Sequence, residues 1–187
     1  MIILPEFTGE QTLYKNFFMT PEKVNHCSES MVGPTRFSTQ DYGNMIVLTE
    51  LLTFAFLLPS IREKGGAYGA GCGANDSGII SFYSYRDPNC DTTFENFERG
   101  VKEVINGNFT QQQMDESKLL AFQKLDGVVE PSTKGLARFT RDWTDEHRAN
   151  LRLCALETTQ ADLVRVAEKY MLSQMEGQRT SRAVFGS

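Results

Sequence analysis

The chain has 187 residues, 40% of them hydrophobic and 23% charged, which suits one large globular domain and excludes disorder as the main state. Its 19 basic and 24 acidic residues leave a net charge of −5, and no block of lysine and arginine offers a nucleic-acid surface. Four cysteines without a C-x-x-C pair read as reduced intracellular thiols, not as a disulfide framework.

Residues 1–16 hold Pro5 and Gly9 and no hydrophobic period, so a linker or arm is expected there, followed by a folded domain over 17–187. The segment Met1 to Leu13 has acids and no arginine, unlike a transit peptide, so any organellar address is expected elsewhere. The run after Pro21, through Val24 to Ser30, predicts an edge strand, because proline is tolerated at an edge. Gly33-Pro34 then breaks the chain.

Asp41 is placed to cap a long helix reaching Lys64. Leu48, Leu51, Leu52, Ala55 and Leu58 would form its core-facing stripe, Pro59 would bend it, and Gly65-Gly66 would end it. Its apolar part, Met45 to Leu58, is shorter than the roughly 20 residues a bilayer requires and carries Glu50, so it reads as a buried helix and not a membrane anchor.

Two strands are predicted next, Ala67–Ala74 and Ile79–Tyr85, joined by the turn chemistry of Asn75-Asp-Ser-Gly78. In the second, Ile80, Phe82 and Ser84 alternate with Ile79, Ser81, Tyr83 and Tyr85, so both faces are expected to be covered. Arg86-Asp-Pro-Asn89 stops it.

Thr92 with Glu95 reads as a capping box for a helix whose face is Phe94, Phe97, Val101 and Val104, ending at Gly107. Thr110 with Gln113 opens a second helix to Leu125. A break at Pro131 precedes one long helix from Thr133 to Leu156. Thr159 with Asp162 opens the last, with Leu163, Val166, Ala167 and Tyr170 inward, and Ser181–Phe185 returns as a final strand. A hairpin flanked by long helices, without β-α-β alternation, predicts an α+β fold with an antiparallel sheet packed against helices.

The chemistry is sparse. The two histidines, His26 and His147, lie far apart, and neither belongs to an H-E-x-x-H or H-x-x-E-H pattern, so no metal site is expected in this chain. No G-x-S-x-G elbow is present, and Cys72 has no local partner. The glycines from Gly65 to Gly73 follow a helix and precede a strand, the reverse of a phosphate loop, so the helix's carbonyl end faces them. Arg62 suits the last turn of a helix by its charge alone, and Tyr68 could be a plain strand aromatic.

The combination Arg62…Gly65-Gly66-Ala67-Tyr68-Gly69 with Ser84-Tyr85-Arg86-Asp87-Pro88-Asn89 nevertheless resembles the last domain of pitrilysin-type (inverzincin) zinc peptidases, in their presequence protease and falcilysin branch. The resemblance runs from about Pro21 through the C-terminal helices, which match in pattern only. It implies the α+β domain fold shared with mitochondrial processing peptidases.

The resemblance also implies a role in a zinc metalloendopeptidase that degrades unstructured peptides. Tyr68 would reach the oxyanion of the scissile carbonyl and Arg62 would clamp substrate carbonyls, with Gly65, Gly66 and Ala67 lining the substrate. Zinc would sit in another domain, the N-terminal zinc-binding half of the same peptidase, because no H-x-x-E-H motif occurs here. This chain alone is therefore expected to be inactive. A mitochondrial matrix or other organellar location is implied, with the cytoplasm left open. The alternative is a non-catalytic scaffold or binding subunit of the same fold.

Overall fold

The computed structural model describes residues 14–21 and 23–186. The arm expected over residues 1–16 lies outside them as far as residue 13, and at Tyr14 the chain is already a strand. Five strands form one sheet in the order β1-β5-β2-β4-β3, with β1 Tyr14–Met19, β2 Asn25–Val32, β3 Gly69–Ala74, β4 Ile79–Asp87 and β5 Ser181–Gly186.

The sheet is mixed, not wholly antiparallel as expected: β1 runs parallel to β5, from Tyr14 beside Ser181 to Met19 beside Gly186. The expected edge strand is also interior, since β2 lies between β4 and β5. Pro21 precedes that strand and so takes no donor from its ladder.

Helix α1 runs from Thr39 to Lys64, α-helical over Thr39–Leu51 and π-helical over Leu52–Lys64. Its N-cap is Ser38; Asp41 lies one turn inside and instead binds the C-terminal helices, accepting from Arg165, Lys169 and the Tyr170 hydroxyl at 2.8, 2.8 and 2.7 Å. Leu48, Leu51 and Leu52 are fully buried as expected, but beyond them the core positions are Leu57 and Ile61, not Leu58. The wider π turn explains the shift, because more residues per turn delay the return to the core face. By length and hydropathy α1 is sufficient to cross a bilayer, yet these residues bury it as the core helix.

The remaining helices are α2 Asp91–Ile105, α3 Gln111–Leu125, α4 Leu136–Arg141, α5 Asp145–Glu157, α6 Gln160–Ala167, a π turn Glu168–Leu172 and α7 Ser173–Glu176, of which α2, α3, α5 and α6 pack against α1. Thr110 with Gln113 and Thr159 with Asp162 form capping boxes as expected. Thr92 with Glu95 does not, because α2 starts at Asp91 and its Thr93 hydroxyl turns back to the Asp87 carboxylate at 2.6 Å. The single helix expected over Thr133–Leu156 is broken, since left-handed Asp142 ends α4 and Thr144 with His147 caps α5. Phe82, Phe97, Val101, Leu163 and Val166 complete a core centred on α1.

At the β3 edge of the described sheet, Thr53 of α1 occupies the middle of the strand. Its hydroxyl accepts from the Cys72 amide at 2.9 Å and donates to the Thr49 carbonyl at 2.8 Å.

Candidate substrate-contact site

The end of α1 turns into β3 through a corner built on two glycines. Gly65 keeps helical geometry, while Gly66 has φ +81°, a left-handed conformation that a β-carbon penalises. The amides of Gly66 and Ala67 donate to the carbonyls of Arg62 and Ile61, both at 3.1 Å, which closes the helix. The Tyr68 amide then donates to the Tyr85 carbonyl at 3.0 Å and starts the pairing with β4.

This corner places the residues expected in the site on one open cleft, lined by Arg62, Glu63, Gly66, Ala67, Tyr68 and Arg86. Tyr68 is 68% exposed, its ring held edge-on against Tyr85 at 5.8 Å. Arg62 is exposed and pairs with no carboxylate among the described residues. Gly65 supports the corner without lining the cleft, and the methyl of Ala67 is buried at 4% exposure, so Ala67 can present only its backbone to a ligand.

The segment Arg86 to Asn89 was expected to stop β4 after Tyr85, but the strand runs on to Asp87, and the segment's further roles were not legible. Buried Asp87 accepts from the Asn89 amide at 2.8 Å as well as from Thr93, fixing the passage from β4 to α2. The Asn89 side-chain amide donates to the Gly65 carbonyl at 2.8 Å, satisfying one of the carbonyls left open at the end of α1. Arg86, at φ 51°, adds a second guanidinium to the cleft from a backbone conformation uncommon for a non-glycine residue. That conformation leaves no trace in sequence.

Other candidate chemistry falls away on geometry. Among the described residues no three His, Cys, Asp or Glu side chains gather for a metal ion, so a zinc implied by the resemblance does not fit this chain's own side chains. His147 caps α5 and stacks on Trp143, and His26 meets Tyr85 edge-on at 4.9 Å on the sheet. The four cysteines are free thiols; burial pushes Cys27 up to about 12 and raises Cys72 as well, which makes them poor nucleophiles. A larger cleft beside α3 and α5 includes Lys124, Arg141 and Arg152, but Glu50, Asp76 and Asp126 respectively engage those cations.

With this geometry in place, the chain can be set beside known proteins. Residues 15–183 match the family profile of the PreP C-terminal domain. The presequence protease, mitochondrial, of Danio rerio is 43% identical over 157 residues, covering 84% of this chain and 15% of that protein. Its counterpart in Eremothecium gossypii is 35% identical over 186 residues, covering 97% of this chain and 19% of the relative. The chain thus spans less than a fifth of the length of these relatives. Among solved structures, the peptidase M16 inactive domain from Pseudomonas fluorescens superposes with a TM-score of 0.73 at 15% identity, covering 94% of this chain and 44% of that one. This last likeness concerns the fold alone.

Proposed function

The chain belongs to the PreP C-terminal domain family, and from that premise we propose that it forms the substrate-binding C-terminal domain of a zinc metalloendopeptidase of the presequence-protease type, acting on unstructured peptides. The observation that carries the reading is the corner itself: an exposed arginine without a carboxylate partner among the described residues and an exposed tyrosine, both set by one glycine turn beside an open cleft.

In this reading the Arg62 guanidinium donates to peptide carbonyls, holding the substrate in ground and transition states alike. The Tyr68 hydroxyl donates to the oxygen on which negative charge develops as the scissile carbonyl becomes tetrahedral. Gly66 and the backbone of Ala67 let the peptide approach closely. The zinc and its ligands belong to another domain, in the N-terminal half of the full-length peptidase; the named relatives are mitochondrial, and in this reading the chain works in the mitochondrial matrix.

The test is kinetic and requires the full-length peptidase. Tyr68→Phe should lower kcat by about 10²–10³ with little change in KM, because the donor acts mainly on the transition state. Arg62→Ala should raise KM as well as lower kcat, and Arg62→Lys should restore only part, since an ammonium lacks the planar fork. A folded Tyr68→Phe enzyme with wild-type kcat and KM would reduce Tyr68 to a strand aromatic and favour the scaffold reading.

A further inference from the structure

The side of the sheet turned away from the helices carries a continuous row of rings. Phe18 stacks on Phe185 with centroids 4.6 Å apart, and Phe185 stands opposite His26 in the pairing of β5 with β2. His26 meets Tyr85 at 4.9 Å, and Tyr85 meets Tyr68 at 5.8 Å. The row therefore crosses the sheet from β1 to the corner before β3, about 19 Å at ordinary strand spacing, and ends on the ring that lines the Arg62 cleft. Phe18, Phe185 and Tyr85 each keep close to half their surface exposed, which folding alone does not require.

We infer that this aromatic belt is an extended substrate subsite, taking large apolar side chains of an unstructured peptide that lies across the strands. The inference rests on the proposed function in that the peptide bond engaged by Arg62 and Tyr68 belongs to the same ligand. Two observations favour a peptide over a permanently docked domain. The belt is continuous with the cleft through Tyr68. Beside it the surface is mixed: the next positions across the sheet are Asn16, Ala183, Ser28 and Tyr83, and the row after that holds Ser181, Ser30 and Ser81. Obligate interfaces are more uniformly apolar, whereas this face carries a serine patch in which the Ser30 and Ser81 hydroxyls bond each other at 2.9 Å.

An extended peptide repeats its side chains on one face about every 6.6 Å, so a belt of about 19 Å meets three of them, at alternate positions. The neighbouring surface suits such a chain. Tyr83 lies over Gly71, where a β-carbon would stand 2.7 Å from its hydroxyl, and nothing stands within 4 Å of the corresponding positions at Gly69 and Gly73. The belt is thus bordered at β3 by bare backbone.

The experiment measures binding of two defined probes to this chain by calorimetry, with circular dichroism as the folding control. One probe is a glycine–serine peptide carrying phenylalanine at three alternate positions; the other has serine in their place. The phenylalanine peptide should bind at least tenfold more tightly, and Phe185→Ser and Tyr85→Ser should each remove most of that preference. Arg62→Ala should weaken both peptides alike and leave their ratio unchanged. Equal affinities for the two probes, no measurable binding, or a preference that survives in a folded Phe185→Ser/Tyr85→Ser double variant would overturn the belt. A preference that depends on the belt but not at all on Arg62 would keep the belt and remove the proposed role of Arg62.

Discussion

Strand β4 has two faces of similar hydrophobic content and opposite fates. Ile80 and Phe82 point into the helices with no exposed surface, and Phe82 packs against Phe97 at 5.3 Å. Ile79, Tyr83 and Tyr85 point the other way and remain about half exposed. The difference lies in what covers each face, since Ile79 is as exposed as the tyrosines and has no polar group. A phenylalanine gains from full burial, whereas a tyrosine can present a ring to a ligand while its hydroxyl stays in water. One face holds the domain together, and the other is left available for contact.

That contrast breaks most visibly at Phe82. Phe82→Ala should destabilise the domain by about 3–5 kcal/mol, while Tyr85→Ser should change stability by less than about 0.5 kcal/mol. Urea unfolding of both variants checks it. Comparable losses would mean that the open face is packed as the core is.

The corner that joins the two faces comes next. Gly66→Ala should cost about 1–2 kcal/mol, because a β-carbon disfavours the left-handed backbone at φ +81° although the space itself is free, with Pro88 no nearer than 3.7 Å. Thermal unfolding measures the loss, and an unchanged melting temperature would show that the corner can relax.

The smallest effect belongs to the helix layer, farthest from the open face. Burial alone would raise the Asp41 pKa, but hydrogen bonds from Lys169, Tyr170 and Arg165 outweigh it and hold the group at about 2 instead of 3.8. Its folded pKa is depressed, so its contribution of about 1 kcal/mol is present above pH 4 and fades as pH falls through 2. The urea midpoints of wild type and Asp41→Asn should therefore differ at neutral pH and converge toward pH 2. A difference that persists at pH 2 would point to lost geometry and not lost charge.

Much of this was legible in sequence where the signal is local. The capping boxes at Thr110 and Thr159, the Asn75–Gly78 turn and the buried leucines up to Leu52 follow from short-range patterns. Non-local features were not legible. The parallel pairing of β1 with β5 joins segments from the two ends of the chain, and nothing in either announces the other. The shift from Leu58 to Leu57 depends on a π turn that the α-helical period does not contain. At the candidate site, Arg62 and Tyr68 were singled out through a motif, whereas Arg86 and Asn89 enter through backbone geometry and a hydrogen bond to Gly65 that no spacing rule reveals. The covered outer face expected for β4 is exposed because tyrosine reads as apolar in an alternating pattern, and the pattern does not say which side meets helices.

The hydroxyl of Thr53 has a consequence for solubility. By the alternation of an antiparallel ladder, the amide and carbonyl of Ala70, Cys72 and Ala74 face away from β4, and such a row can template the growth of a sheet by another chain. With the Cys72 amide already engaged by Thr53, an incoming strand meets an interruption at the centre of the edge. The domain thereby carries its own safeguard against runaway strand addition, of particular value to a surface that would handle unfolded peptides at high local concentration.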